Sequence, residues 1–341
     1  MPSRSLLGSA LPLAAAPMAG GPTTVALAEA VARAGGFPFL AAGYKSAEQM
    51  AAEIAALRGT GALFGVNLFV PSHEGVDHGA VRAYAQEIAA EAHALGAPLG
   101  EPVARDEDGW SEKLAMLLAE PVPVVSLTFG LPDPADIAAL RGAGSVVLAT
   151  VTSAGEAVEA QRAGVDGLIV QGFAAGGHSA VHDPTTLPAP IETHELVALI
   201  REVADLPLIA AGGVDGPRAV RRLLEAGAEA VVVGTLFLLA DEAGTSATHR
   251  AALARSDAVD TVLTRAFTGR PARALRNGFI DRHDAAAPVS YPAVHHLTRP
   301  MRQAAALAGD ADRLHLWAGT GYRHARPGPV ADIIRWLSTA L

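Results

Sequence analysis

The sequence contains no cysteine, so disulfides, thiolate metal sites, iron–sulfur clusters and a cysteine nucleophile are all excluded. Charge is also scarce. Only 18% of residues are charged and 50% are apolar, the reverse of the balance that keeps a chain disordered. No long basic stripe is present, and 26 basic against 35 acidic residues give a formal net charge of −9. Nucleic acid is therefore not an expected partner. Gly, Pro or charge interrupts every long apolar stretch, so no membrane-spanning helix is expected. Gly-x-Ser-x-Gly, GxxxxGK[ST] and a strand-linked GxGxxG are missing, which removes the nucleophile elbow, the P-loop and the dinucleotide fingerprint.

What remains is a chain rich in short buried segments. Its 341 residues correspond to about two domains at roughly 150 residues each, although an α/β barrel uses about 250 as one. Eight apolar runs occur at residues 13–19, 37–42, 63–70, 122–129, 145–151, 167–171, 207–212 and 230–234. Continuous rather than alternating hydrophobicity suits strands buried on both faces of a parallel sheet. Helical patterns separate them at 24–34, 47–57, 76–94, 134–142, 155–163, 193–203 and 216–226. The alternation predicts an α/β protein with a closed (β/α)8 TIM-type barrel, an open doubly wound sheet being the alternative. An internal repeat fits the barrel: Ala163-Gly-Val-Asp-Gly-Leu-Ile-Val aligns with Ala226-Gly-Ala-Glu-Ala-Val-Val-Val, 63 residues later.

From residue 241 to about 315 the pattern turns helical, richer in Arg and His, with no further buried-strand run. It reads as a smaller appended helical domain on the substrate side, after a barrel over 1–240, with 316–341 returning to pack on the barrel. Near the N-terminus, Arg4 precedes an uncharged stretch that faintly resembles a signal peptide, but Gly8 and Pro12 interrupt it. This segment is expected to be the first core strand of a cytoplasmic protein.

Active sites of barrels lie where strands end. Gly212-Gly213 and Gly234-Thr235 follow adjacent strands, where closely approached backbone N–H groups can hold a phosphate. Asn67 and Gln171 are amides in apolar strands. They match either a ring with both donors and acceptors or a structural bridge between strands, and the residues alone leave both open. His178 follows two glycines and is placed to act as a base near neutral pH. His182 lies four residues on, but the segment leads into Asp183-Pro184, so no helical metal pair, and no metal, is expected. His194, His295-His296, His315 and His324 have no comparable context, and packing or surface roles are expected of them.

Four segments carry a resemblance: Pro17-Met-Ala-Gly-Gly-Pro-Thr-Thr, Phe64-Gly-Val-Asn-Leu-Phe-Val-Pro71, Ser126-Leu-Thr-Phe-Gly-Leu-Pro132 and Val170-Gln-Gly-Phe-Ala-Ala-Gly-Gly-His178, with Leu316-Trp-Ala-Gly-Thr-Gly-Tyr322 near the end. The chain resembles the class I nitronate monooxygenases, formerly 2-nitropropane dioxygenases, which are FMN-dependent. The resemblance implies that Met18 and Asn67 contact the flavin ring and Gln171 the ring or ribityl chain. Backbone at Gly176, Gly213, Gly234 and Thr235 would hold the phosphate, and His178 matches the family's active-site histidine. It also implies a small anionic nitronate, such as propionate 3-nitronate, and O2 as reactants. The expected products are a carbonyl compound and nitrogen oxyanions. Lys45, Arg299 and Arg323 are candidate partners for a substrate carboxylate. Monomer and homodimer are both open.

Where the family commonly has Glu-Ala-Gly-Gly-His-Arg, this chain has Ala174-Ala-Gly-Gly-His-Ser179, losing a carboxylate and a guanidinium beside the histidine. Strand four has Leu127 where Phe is common. The alternatives are an FMN-dependent NAD(P)H reductase of the enoyl-ACP or quinone type, or a flavin-binding protein without turnover.

Overall fold

The computed structural model describes residues 6–72, 75–255 and 259–341. All eight apolar runs form strands. They are β1 (Leu13–Ala15), β2 (Phe37–Ala41), β3 (Gly65–Phe69), β4 (Val124–Thr128), β5 (Val146–Val151), β6 (Gly167–Gln171), β8 (Leu208–Ala211) and β9 (Ala230–Val233). They pair in that order, every pair parallel, and β9 closes on β1. The open-sheet alternative is thereby removed. The runs are continuous because each strand buries two faces. Inside the barrel, Phe37, Phe39, Leu148, Ile169, Ile209 and Val232 form one cluster. Outward-facing Leu40, Val66, Leu68, Leu127, Val147 and Val170 pack under the helices in another. Gly65 makes room for the interior phenylalanines, since a Cβ there would lie 2.4 Å from the Phe39 ring.

The outer helices are α1 (Val25–Arg33), α2 (Ala47–Arg58), α5 (Trp110–Ala119), α6 (Pro134–Gly142), α7 (Ala154–Ala163), α8 (Thr193–Arg201) and α9 (Pro217–Glu225). Their starts follow side-chain chemistry. Ser46 and Gln49 form a reciprocal capping box, and Asp133 caps α6 ahead of Pro134. The 63-residue repeat is a pair of equivalent turns: Gly164 and Gly227, at φ 87° and 105°, end α7 and follow α9 before β6 and β9. The last helix, α13 (Val330–Leu337), buries Ile333, Ile334 and Leu337 in the barrel's outer core.

A second layer covers the C-terminal ends of the strands, and here the structure differs from the sequence reading. Region 241–315 is not wholly helical. Besides α10 (Ala247–Leu253), α11 (Gly278–His283) and α12 (Ala293–Ala308), it contains β10 (Thr261–Thr264) and β11 (Ala272–Leu275). These strands pair antiparallel, and β11 also pairs with β7 (Gly177–His178), which leaves the barrel after β6. Strand β11 was invisible as an apolar run because Arg273 sits in it. That guanidinium is buried by bonding Phe173 O and Thr261 O and by lying 4.3 Å from the Phe173 ring. The stretch expected as one helix over 76–94 is two, α3 (His78–Glu87) and α4 (Ala89–Ala94), and it belongs to the second layer. Val81, Tyr84 and Ile88 pack there with Phe267, Phe279, Val294 and Met301. Glu91 fastens α4 to this layer. Against the cost of burial, hydrogen bonds from His283, Arg282 and Arg313 hold its carboxyl down at about 2.

Candidate active site

Between the barrel and the second layer lies a cavity of about 590 Å³. Its floor is built from strand ends: Met18 after β1, Gly43 and Tyr44 after β2, Asn67 and Phe69 on β3, Thr128 and Phe129 at β4, Thr150 on β5 and Gln171 on β6. Its rim carries Ala174–His178, Gly212, Gly213, Gly234 and Thr235, and its roof is α12 with Trp317, Gly319 and Gly321. All eight site residues read from the sequence, Met18, Asn67, Gln171, Gly176, His178, Gly213, Gly234 and Thr235, line this one space.

The glycine rim is tightly closed on itself. Gly212 and Gly213 stand at φ 98° and 73°, in the left-handed region that favours glycine. A Cβ on Gly176 would lie 2.4 Å from the backbone nitrogen of Gly319, and one on Gly319 would lie 2.7 Å from Ala174 O. Thr235 Oγ1 accepts from Gly319 N at 2.9 Å. Three loops and the tail thus meet at close range through glycine backbone.

Opposite the rim is a polar wall. Asn67 Nδ2 donates to Ser126 O, Ser126 Oγ and Thr128 Oγ1 at 3.2, 3.0 and 2.9 Å, while its Oδ1 has no partner among the described residues. Gln171 is committed differently. Its Nε2 donates to His178 O at 3.2 Å and its Oε1 accepts from Ala180 N at 2.7 Å. It therefore bridges to the segment carrying the histidine and keeps one N–H for the cavity.

His178 sits on β7 with Phe129, Tyr291 and Trp317 around its ring. Burial, with Arg270 and Arg302 nearby, lowers its pKa to about 3, so the imidazole is neutral at ordinary pH. Its Nε2 meets Thr268 Oγ1 at 2.9 Å, and a hydroxyl can donate or accept there, so either tautomer is supported. Nδ1 has no partner among the described residues. Two aromatic residues at the cavity, Phe129 beside the His178 ring and Tyr44 beside His295, have left-handed backbone, at φ 82° and 66°. Such conformations persist only where surroundings impose them. The Arg270 guanidinium lies 4.1 Å from the Phe129 ring centre. Tyr44 N donates to Asp108 Oδ1 at 2.8 Å, and the buried Lys113 ammonium joins Asp108 Oδ2 to Ala42 O at 2.7 and 2.9 Å.

The lining has one sign of charge. Lys45, Arg299 and Arg302 contribute cations and His178, His249, His295 and His315 contribute imidazoles, while no Asp or Glu lines the cavity among the described residues. Of the three cations named from the sequence, Arg299 lies at the cavity. Lys45 does too, but pairs with Glu53 at 2.7 Å. Arg323 is outside it, 3.8 Å from Asp260 and beside Tyr322. His182 bonds Thr150 O at 3.3 Å, and no metal-holding cluster exists among the described residues.

Sequence reasoning missed His249, His295, Arg302 and His315 at the cavity. For α12 a signal existed: His295, Arg299, Arg302, Gln303 and Ala306 recur at i, i+4, i+7, i+8 and i+11, one face of a helix. No comparable pattern marks His249 or His315.

A closed parallel barrel with a cavity at the C-terminal ends of its strands has the architecture of a (β/α)8 enzyme, whose active site lies at that face. A model of the nitronate monooxygenase family matches residues 5–339, and the chain belongs to this family of flavin-dependent oxidoreductases. A probable nitronate monooxygenase of Staphylococcus aureus is 35% identical over 337 residues, spanning 96% of this chain and 94% of that protein. Among solved structures, the nitroalkane oxidase from Streptomyces ansochromogenes superposes with a TM-score of 0.93 at 46% identity, covering 98% of this chain and 96% of that one. FabK from Thermotoga maritima superposes with a TM-score of 0.75 at 25% identity, covering 98% and 94%. No helix among the described residues is long and apolar enough to cross a membrane.

Proposed function

We propose that this enzyme oxidises small anionic alkyl nitronates with bound FMN and O2, giving a carbonyl compound with nitrite or nitrate. The observation that carries the reading is the cavity lining, which combines cations, neutral imidazoles and a glycine rim with no opposing carboxylate among the described residues. Two anions need such a space, the cofactor's phosphate and the substrate.

The residues fit FMN. Gly176, Gly213, Gly234 and Thr235 would hold the phosphate through backbone N–H groups, at a rim where a Cβ on Gly176 would collide with Gly319. Asn67 Oδ1, Met18 and the remaining Gln171 N–H would meet the ring and ribityl chain. When bound, FMN supplies the electron acceptor and the route to O2. The protein does the rest. The cavity's charge draws in an anion, Arg299 and Arg302 hold it, and the aromatic roof excludes water. His178 orients a nitronate, or takes the α-proton of a neutral nitroalkane at Nδ1, with Nε2–H donating to Thr268 Oγ1. Its neutrality suits a preformed nitronate best, because a low pKa makes a weak base. The protein is proposed to act in the cytoplasm, as a monomer or homodimer, without nucleic acid or metal. Residues 241–315 are proposed as the substrate-side domain, joined to the barrel by β7.

Anaerobic titration of the purified protein tests the reading. Bleaching of the flavin spectrum by propionate 3-nitronate, and not by NADH or NADPH, is the expected result. Reduction by a nicotinamide alone would replace the proposal with a reductase. Gly176→Ala tests the phosphate rim separately. Overpacking against backbone is expected to cost about 1–3 kcal/mol, and FMN should weaken by tenfold or more, read by fluorescence titration. Unchanged FMN affinity would remove Gly176 from the rim.

A further inference from the structure

Two of the four imidazoles at the cavity, His178 and His295, have chemically different partners, and the difference fixes one of them. His295 is 6% exposed on α12 and stacks on the Tyr44 ring at 4.3 Å between centres, 7° from parallel. Its Nδ1 lies 3.2 Å from Nη2 of Arg302, which also donates to His295 O at 3.0 Å. A guanidinium has donors and no acceptor. Nδ1 must therefore be the accepting nitrogen, and the ring proton must reside on Nε2.

Arg302 is itself held rigidly. It is 5% exposed, its Nε donates to Thr298 Oγ1 at 3.0 Å, and that hydroxyl donates to Phe267 O at 2.5 Å. No carboxylate neutralises it among the described residues, so its charge acts on the cavity it lines. The same charge, after burial, opposes protonation of His295. His178 contrasts with this, because Thr268 allows it either tautomer. His295 Nε2 has no hydrogen-bond partner among the described residues, nor is it among the sealed polar atoms of the interior.

We infer that His295 is a ligand-binding residue locked by Arg302 as the Nε2–H tautomer, a neutral donor to an oxyanion of the bound substrate. It can orient an anion without being able to take a proton from it, which leaves proton transfer to His178. The assignment of that oxyanion to a nitronate rests on the function proposed above. The tautomer does not.

The test uses the full-length protein labelled with 15N-histidine and nitrate as the probe, a planar nitrogen oxyanion. In long-range 1H–15N spectra, the ring signals that vanish in His295→Phe are expected to show the Nε2-protonated pattern in wild type. Arg302→Met should convert them to a tautomer mixture. Nitrate should shift Nε2 of His295, and its Kd should rise about tenfold in His295→Phe, the scale of one hydrogen bond to an ion. His295→Gln, whose amide donates, should recover much of the affinity. If His295→Phe does not fold, His295→Gln supplies the assignment and the wild-type shifts decide. An Nδ1-protonated or imidazolium pattern would overturn the inference, as would nitrate that fails to bind or binds wild type and His295→Phe alike. Normal nitrate binding without nitronate turnover would sink the proposed function and leave His295 as assigned.

Discussion

His178→Ala is expected to reduce turnover of neutral nitroalkanes by ~10²–10⁴, the range for a lost general base, and that of preformed nitronates by only about tenfold, the scale of one orienting hydrogen bond. The asymmetry follows from what each substrate asks of the imidazole. A nitroalkane must give up a carbon-bound proton, and the Thr268 hydroxyl, which can accept from Nε2–H of His178, leaves the Nδ1 lone pair of that ring available. A nitronate arrives already ionised and needs only to be held. The low pKa of His178 sharpens the contrast: the protein keeps the imidazole neutral through burial and two guanidiniums, so proton removal is the harder task. Parallel kinetics with a nitroalkane and its nitronate would decide. Equal losses for both substrates would remove proton abstraction from the role of His178.

The second large effect is on stability in mild acid. His178, with a pKa of about 3, and His249, at about 4, are lowered first by burial, and His295 and His315 are lowered in the same direction. A histidine depressed in the folded state favours the unfolded chain once that chain protonates. Its contribution is complete above the unfolded value near 6.5 and is lost progressively as pH falls toward the folded value. At pH 5 each of the two costs about 2 kcal/mol. Glu91 cannot be mistaken for this effect. Its carboxyl is held down, so its contribution disappears only as pH falls below the ordinary value of 4.5. Denaturant midpoints measured at pH 7, 6 and 5 should therefore fall steeply within that window. A flat profile would mean that these imidazoles are not buried neutral.

The barrel was legible because its physics is local. A strand buried on both faces must be apolar throughout, and most helices begin at a cap, so the eight runs and six of the seven helices between them stand out, while α5, which starts at Gly109 with no side-chain cap, was missed. The strand-end residues were legible for the same reason, being punctuation at fixed places in that pattern. The second layer was not. Strand β11 carries a buried arginine whose partners come from Phe173 and Thr261, distant in the chain, and no window around Arg273 contains that information. His295 was set aside as a packing residue because its meaning depends on Tyr44 and the cavity, and on where α12 lies. His249 and His315 reach the same space from two further segments. What the sequence concealed is thus long-range polar compensation, which has no period.

The tail segment that roofs the cavity bears on how the molecule is made. Trp317, Gly319 and Gly321 line the site, and Gly319 N is bound to Thr235 Oγ1. During synthesis all eight barrel strands leave the ribosome before residue 241, yet the pocket lacks one wall until some eighty more residues have followed. The residues that pair as the barrel sheet are thus all made before those that roof its pocket. A chain that stopped short of Trp317 would hold every barrel strand and lack this segment of the pocket's roof.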